Sequence, residues 1–192
     1  IRHYNVVLDS TYTGGGEFYA SSSIAASGAT VYVSLSPDPG YEALHENIYY
    51  SYGGHNYSMT LYNGYYYRSF TMPASDVTVY VIFTEADYSI TKQATSNGSY
   101  TVVNGDDQEI EVANYSEIIY VVPTPNAGYE VDSVRYFTTG YVDVPYYDLE
   151  YSISMPNYPV QIYVTFKKVV YDITANATTN GSYTLSKTSA YY

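Results

Sequence analysis

Apolar and polar residues alternate one by one in two stretches of the chain, and each stretch follows a Met-Pro pair. The apolar positions are Val77, Val79, Val81 and Phe83 in the first stretch and Val160, Ile162, Val164 and Phe166 in the second. A period of two places alternate side chains on opposite faces of a β-strand. Both stretches are therefore predicted to be half-buried antiparallel strands.

The two stretches belong to a repeat with a period of 83 residues, the distance from Met72 to Met155. A strand led by tyrosine opens each unit, a glycine and a short strand follow, and a Pro-x-x-Gly-Tyr turn precedes the Met-Pro pair. These landmarks are, in order, Tyr4, Tyr88 and Tyr171; Gly16, Gly98 and Gly181; Tyr41 and Tyr129. Self-similarity at a fixed period indicates an array of like domains.

The predicted fold is all-β: two tandem small antiparallel β domains, each an Ig-like β-sandwich or a β-grasp-like repeat, plus the first strands of a third unit. The predicted boundaries are 1–86 for the first repeat, 87–168 for the second and 169–192 for the partial third. Strands in the first repeat are predicted near 4–11, 16–22, 29–36, 41–52, 56–71 and 76–84.

Tyrosine dominates the apolar composition, with 30 residues against 5 Phe and no Trp. Tyrosine favours strands, and its hydroxyl stays wet while its ring packs. The strings Tyr49-Tyr50-Ser51-Tyr52 and Tyr65-Tyr66-Tyr67 are predicted to lie on adjacent strands, where some rings must be exposed or form an interface. Sheet stability and contact between subunits are the preferred roles of these rings, and contact with glycans comes second.

The net charge and the absence of cysteine exclude several classes of partner and of chemistry. A formal charge of −12 repels a phosphate backbone or an anionic bilayer, so neither nucleic acid nor a membrane surface is expected to bind. No apolar run has the length needed to span a bilayer, and membrane insertion is not expected. The chain has no cysteine, which excludes disulfides, thiolate nucleophiles and cysteine-based metal sites.

Candidate catalytic chemistry is sparse. No phosphate loop, dinucleotide fingerprint, metalloprotease motif or nucleophile elbow occurs, so no catalytic residue, no cofactor and no enzyme activity are predicted. The densest acidic stretch holds Asp106, Asp107, Glu109 and Glu111, whose oxygens are of the type that calcium prefers. A strand over this stretch would place Asp107, Glu109 and Glu111 on one solvated face, and this reading is preferred over a calcium site.

Five Asn-x-Ser/Thr sequons are candidate glycosylation sites: Asn56, Asn97, Asn114, Asn176 and Asn180. Asn97 and Asn180 each precede a glycine, and Asn-Gly is also predicted to supply the positive φ angles of a tight turn.

The last segment, 169–192, matches only the opening of a repeat. Two strands alone bury too little surface to be stable in water. One interpretation is that the ordered part of a longer chain ends here, and the other is that the tail completes another subunit. The predicted subunit contacts of the tail are Tyr171, Ile173, Tyr183, Leu185, Tyr191 and Tyr192.

The order Tyr-x-Ile/Val, Asn-Gly-Ser, Pro-x-x-Gly-Tyr and Met-Pro-x-x-x-Val-x-Val-x-Val-x-Phe resembles the divergent InlB-type B-repeat family. The resemblance covers two full units and the start of a third. It implies a tandem repeat module of the bacterial exterior, on the cell surface or secreted, with no catalytic residues.

These features predict a structural subunit of an extracellular bacterial filament, which self-associates head to tail by β-strand complementation. The alternative is a stalk, or a segment that binds a glycan or a protein, within a large repeat adhesin. An enzyme such as a glycosidase is a third class that no motif supports.

Overall fold

The computed structural model describes residues 1–11, 14–176 and 179–191. The chain divides into two compact units, Ile1–Asp87 and a second that begins at Tyr88. The all-β, tandem architecture expected from the repeat is confirmed. Among the described residues, no helix has the length and apolar content that crossing a bilayer requires.

The first unit contains two main sheets. The five-stranded sheet has the order β3-β1-β10-β6-β7, and the four-stranded sheet has the order β2-β4-β9-β8. The strands are β1 (His3–Leu8), β2 (Gly16–Ala20), β3 (Ile24–Ala26), β4 (Thr30–Pro37), β5 (Tyr41–Glu42), β6 (Ile48–Tyr52), β7 (His55–Ser58), β8 (Thr60–Leu61), β9 (Tyr67–Thr71), β10 (Val77–Val81) and β11 (Thr84–Glu85). β5 and β11 form a separate two-stranded sheet, and His45–Asn47 is a short 3-10 helix.

The second unit repeats this arrangement. Its five-stranded sheet has the order β14-β12-β19-β16-β17, and its three-stranded sheet has the order β13-β15-β18. The strands are β12 (Asp87–Lys92), β13 (Gly98–Val103), β14 (Val112–Asn114), β15 (Ile118–Pro125), β16 (Tyr129–Phe137), β17 (Tyr141–Asp143), β18 (Tyr151–Ser154) and β19 (Val160–Lys168). In the tail, β20 (Val170–Asp172) pairs with β21 (Ser189–Tyr191).

Each unit has its own core between its two main sheets, as in a β-sandwich. Seven of the eight alternating apolar positions are buried, among them Val79 and Ile162, which are both 0% exposed, and Phe166 is half-buried. The two core clusters share no residue. The burial pattern along the strands thus follows the period of two in the sequence.

Two predictions about the strands are wrong in part. β10 and β19 pair antiparallel with β6 and β16, as predicted, but each also pairs in parallel with the first strand of its unit, Val77 with Val6 and Val160 with Ile90. Alternation has the same period in both kinds of ladder, so it does not reveal strand direction. In addition, the stretches 41–52 and 56–71 are broken by the 3-10 helix and by a turn at Asn63-Gly64, where both φ angles are positive.

A glycine and a phenylalanine of the repeat pack against each other in both units. A Cβ built on Gly98 would lie 2.6 Å from Cε2 of Phe166, and one built on Gly16 would lie 3.0 Å from Cζ of Phe83. A contact under 3.0 Å leaves no room for a methyl group unless the ring shifts. Gly98 therefore makes space for the ring of Phe166. At Gly16 backbone atoms are closer than the ring, with the Ser36 carbonyl oxygen at 2.7 Å and Pro37 Cα at 2.8 Å.

Candidate functional site

In the tail, apolar side chains that the repeat predicts to be buried are exposed. Ile173, Tyr183 and Leu185 lie 83 positions after Ile90, Tyr100 and Val102. Ile90 is 6% exposed, Tyr100 9% and Val102 0%, but the three tail residues are 40%, 47% and 37% exposed. The tail thus carries side chains of the core type on its surface.

The difference in burial follows from missing strand partners. In the second unit, β13 pairs with β15 and β12 pairs with β19, and both partners come later in the repeat. In the tail, the segment equivalent to β13 forms no strand, contrary to the expectation that the first two strands of a unit would form there. A strand without a neighbour has no ladder hydrogen bonds and no face to bury.

The tail does form a pair of short antiparallel strands, β20 and β21, joined by a long connection. Tyr171 lies opposite Ala190, Tyr191 lies opposite Val170, and the Ile173 N–H donates to the Thr188 carbonyl at 2.9 Å. Tyr171 is 53% exposed and Tyr191 68%. Of the six predicted subunit contacts, five are therefore exposed, and Tyr192 lies outside the described residues.

One local contact of the repeat persists in the tail. In the second unit the Tyr100 hydroxyl lies 2.8 Å from two carbonyl oxygens, those of Gln93 and Ile162. The Tyr183 hydroxyl donates to the carbonyl of Asn176, the residue equivalent to Gln93. The contact within one segment is kept, whereas the contact equivalent to that with Ile162 would need the last strand of the unit.

The Tyr100 hydroxyl gives a pH-dependent prediction. Burial raises the pKa of Tyr100 above its ordinary value. The unfolded chain therefore releases this proton first as the pH rises above about 10, and the second unit loses stability there. We expect Tyr100→Phe to lose less stability than the parent between pH 8 and pH 11 in urea unfolding. Tyr158→Phe, at a side chain that is 55% exposed, should respond to pH as the parent does; an equal response of Tyr100→Phe would contradict the assignment.

An open sheet edge lies in the second unit. β18 ends the order β13-β15-β18, so no strand among the described residues pairs with its outer edge. The Met155 N–H donates to the Glu117 carbonyl at 2.8 Å, and the Met155 carbonyl accepts from the Ser116 N–H at 2.9 Å. Because backbone groups of alternate residues point in opposite directions, those of Ser152 and Ser154 face the open edge.

The surroundings of this edge differ from those of its counterpart. In the first unit the same edge of β9 is paired with β8. In the second unit Tyr147 and Leu149, just before β18, are 80% and 82% exposed. A cleft of about 540 Å³ lies beside them, with Tyr146, Leu149 and Tyr151 among its lining residues. The edge of β18 thus combines the outward backbone groups of Ser152 and Ser154 with exposed apolar side chains. Glu150, just before β18, is instead paired with Tyr147 through two backbone hydrogen bonds.

The acidic stretch does not form the predicted strand. Asp106 and Asp107 lie in a turn, where Asp107 has a φ of +58° and the Asn104 side chain accepts hydrogen bonds from the N–H groups of Asp106 and Gln108. The Glu109 carboxylate pairs with the Lys92 ammonium instead. Glu111 is exposed before β14. Across 1–11, 14–176 and 179–191, no group of three or more His, Asp or Glu side chains is placed to hold a metal ion.

The five sequon asparagines differ in their exposure to solvent. Asn56 on β7, Asn97, Asn176 and Asn180 are exposed, and Asn114 on β14 is half-buried. The predicted Asn-Gly turns are wrong in part: Asn97 has a φ of +68°, but Asn180 and both following glycines lack positive φ angles. Position 98 is a glycine because the ring of Phe166 packs against its backbone, and not because a turn requires one.

The two tyrosine strings lie on different sheets rather than on adjacent strands. Tyr49, Tyr50 and Tyr52 belong to β6 of the five-stranded sheet, whereas Tyr67 begins β9 of the four-stranded sheet. Ring ladders do form across strands: Tyr49 stacks on Tyr80 of β10 at 4.9 Å between centroids. Tyr50 stacks on Phe70 at 4.3 Å, and burial raises its pKa.

Comparison with known proteins gives one match. Residues 88–170 match the family model of the divergent InlB B-repeat domain. No curated protein and no solved structure matches the chain. The matched range runs from Tyr88, the first residue of the second unit, to Val170, two residues past the end of β19. The match confirms the family resemblance for this range.

Proposed function

Starting from a second unit that is a divergent InlB B-repeat domain and a first unit whose five-stranded sheet has the corresponding strand order, we propose a non-enzymatic structural role for this chain. It is the subunit of an extracellular bacterial filament, assembled head to tail by β-strand complementation. The observation that carries the proposal is the exposure of Ile173, Tyr183 and Leu185, whose equivalents in the second unit are buried. Such a segment gains stability when another sheet covers it.

The tail would pair with the open edge of a sheet in another subunit and would not replace a strand that this subunit lacks. Both complete units contain their own first strand, β1 or β12, so neither lacks the strand that the tail resembles. The outer edge of β18 offers the free backbone groups of Ser152 and Ser154, and the neighbouring cleft, at about 540 Å³, is large enough for an aromatic side chain. Donor and acceptor are different surfaces, so the contact is heterologous and extends into a filament if the rotation does not close.

The decisive experiment is negative-stain electron microscopy of three proteins. The full chain is expected to form filaments. A truncation after Val169 is expected to remain monomeric, because it lacks the donor. This truncation keeps the hydrogen bond from the Val169 N–H to the Gly128 carbonyl. It removes the cation–π contact between the Lys168 ammonium of β19 and the Tyr191 ring. Ser152→Pro is also expected to remain monomeric, because proline removes an outward N–H while edge strands tolerate it.

Ser152→Thr is the matched control, since it keeps the N–H and should assemble like the parent. Circular dichroism of every variant checks that the sheets persist. Monodisperse monomers from the full chain at high concentration, or filaments that survive truncation, would contradict the proposal. If Ser152→Pro formed filaments and the truncation did not, β18 would be excluded as the acceptor while the tail remained the donor.

A second function is favoured by the close match between the tail and the start of the second unit. Asn-Gly-Ser-Tyr-Thr recurs unchanged at the same offset of 83 residues. In a stalk or ligand-binding segment of a long adhesin, the tail would be the beginning of the next repeat and would pair within its own chain. Sedimentation equilibrium separates the two functions, because a filament subunit self-associates as concentration rises and a stalk segment does not.

A further inference from the structure

The outer face of the four-stranded sheet in the first unit carries a row of tyrosines. Tyr19 lies opposite Ser34, and Ser34 lies opposite Tyr67. The Tyr62 N–H donates to the Tyr67 carbonyl at 3.0 Å, which places Tyr62 next in the row. Residues directly opposite in an antiparallel ladder share one face of the sheet. The row thus crosses all four strands of this sheet from β2 to the end of β8.

A fourth ring joins this row. Tyr32 is two residues before Ser34 on β4, so it lies on the same face. Its ring centroid is 4.6 Å from that of Tyr62. We call the four residues the tyrosine platform: Tyr19, Tyr32, Tyr62 and Tyr67. They are 55%, 38%, 46% and 46% exposed, respectively.

The remaining side chains of this outer face are polar. They are Glu17, Ser21, Thr30, Ser34, Ser36, Thr60, Ser69 and Thr71. The Tyr19 hydroxyl donates to the Glu17 carboxylate. Aliphatic residues of the same strands, such as Val31, Val33 and Leu35, point into the core. The face therefore offers aromatic rings and hydrogen-bonding groups without an aliphatic patch.

We propose that the tyrosine platform binds a neutral β-1,4-linked glycan chain. Such a chain is a flat ribbon whose C–H groups meet the negative face of an aromatic ring and whose hydroxyls bond to polar side chains. Strands lie about 4.8 Å apart, so Tyr19 and Tyr67, on either side of β4, are about 10 Å apart, close to the length of a disaccharide unit in an extended chain. The chain charge of −12 and the carboxylate of Glu17 disfavour acidic glycans.

A protein partner fits this face less well. Stable protein interfaces have an apolar centre, and here hydroxyl residues separate the rings of Tyr19 and Tyr67. The equivalent face of the second unit shows the contrast: Ile118 and Val122 are 44% and 45% exposed on β15, and Ser152 lies beside Tyr120. The platform is thus a feature of the first unit, and the repeat as such does not require it.

The test is isothermal titration of the full chain with cellohexaose, and with maltohexaose as an α-1,4-linked isomer of the same composition. Cellohexaose is expected to bind. Maltohexaose is expected to bind at least about tenfold more weakly, because a tenfold loss is the effect expected from losing one stacking contact. Tyr32→Ala and Tyr67→Ala should each weaken cellohexaose binding about tenfold or more. Tyr158→Ala removes a ring of the second unit that is 55% exposed and should bind like the parent.

Thermal melts of the variants test whether any loss of sugar binding results from unfolding. Absence of cellohexaose binding, equal binding of both sugars, or equal binding by Tyr67→Ala and the parent would overturn the proposal. Loss of self-association in Tyr67→Ala without loss of sugar binding would also overturn it and would make the platform a contact between copies. The experiment is independent of the tail, so failure of filament assembly does not affect its outcome.

Discussion

Ile162→Ala is expected to lower the free energy of unfolding of the second unit by about 2–5 kcal/mol, the usual cost of removing a buried isoleucine side chain to alanine. Ile162 is 0% exposed and lies on β19 between Lys92 of β12 and Tyr136 of β16. A domain of this size is stable by only about 4–12 kcal/mol. One truncated side chain therefore removes a large share of that stability, and urea unfolding followed by circular dichroism measures it.

The matched variant in the first unit is Val79→Ala, at the position 83 residues earlier, which is also 0% exposed. The two cores share no residue, so each variant should shift one unfolding transition and leave the other in place. Val79→Ala should cost less, because it deletes fewer carbon atoms. A single transition that moves in both variants would show that the units unfold together and would contradict the expectation.

Gly98→Ala is expected to destabilise the second unit by about 1–3 kcal/mol, the usual cost of overpacking a core. The added methyl group would lie 2.6 Å from Cε2 and 2.7 Å from Cζ of Phe166. Replacing glycine with alanine ordinarily stabilises a protein by about 0.4–1 kcal/mol where the backbone allows it. A loss of stability at Gly98 would therefore report the collision with the ring, and thermal unfolding measures it.

Gly105→Ala is the control for this effect. A Cβ at Gly105 meets nothing within 4 Å, and neither Gly98 nor Gly105 has a left-handed backbone. Gly105→Ala should leave stability unchanged or raise it slightly. The double variant Gly98→Ala/Phe166→Leu should lose less stability than the two single variants together, because the smaller side chain relieves the contact. Additive losses would place the strain elsewhere.

The sequence by itself determined the repeat, the strand faces and the core. The period of 83 residues located equivalent positions, and the alternation selected Val77, Val79 and Val81 as buried. These features are local, because which face a side chain occupies depends only on its position along its own strand. For the same reason the sequence matched the tail to the opening of a repeat, since Ile173 and Tyr183 lie 83 positions after Ile90 and Tyr100.

The tertiary structure alone decided which strands are neighbours. Parallel pairing of β1 with β10, the open edge of β18 and the placement of Tyr49 and Tyr67 on different sheets depend on how loops carry the chain between sheets. The platform likewise joins residues of β2, β4 and β9 with Tyr62, which directly follows β8, and no local pattern connects them. Alternation fixes the face of a residue but not its neighbour across the ladder, because any two strands with matching faces satisfy the same pattern.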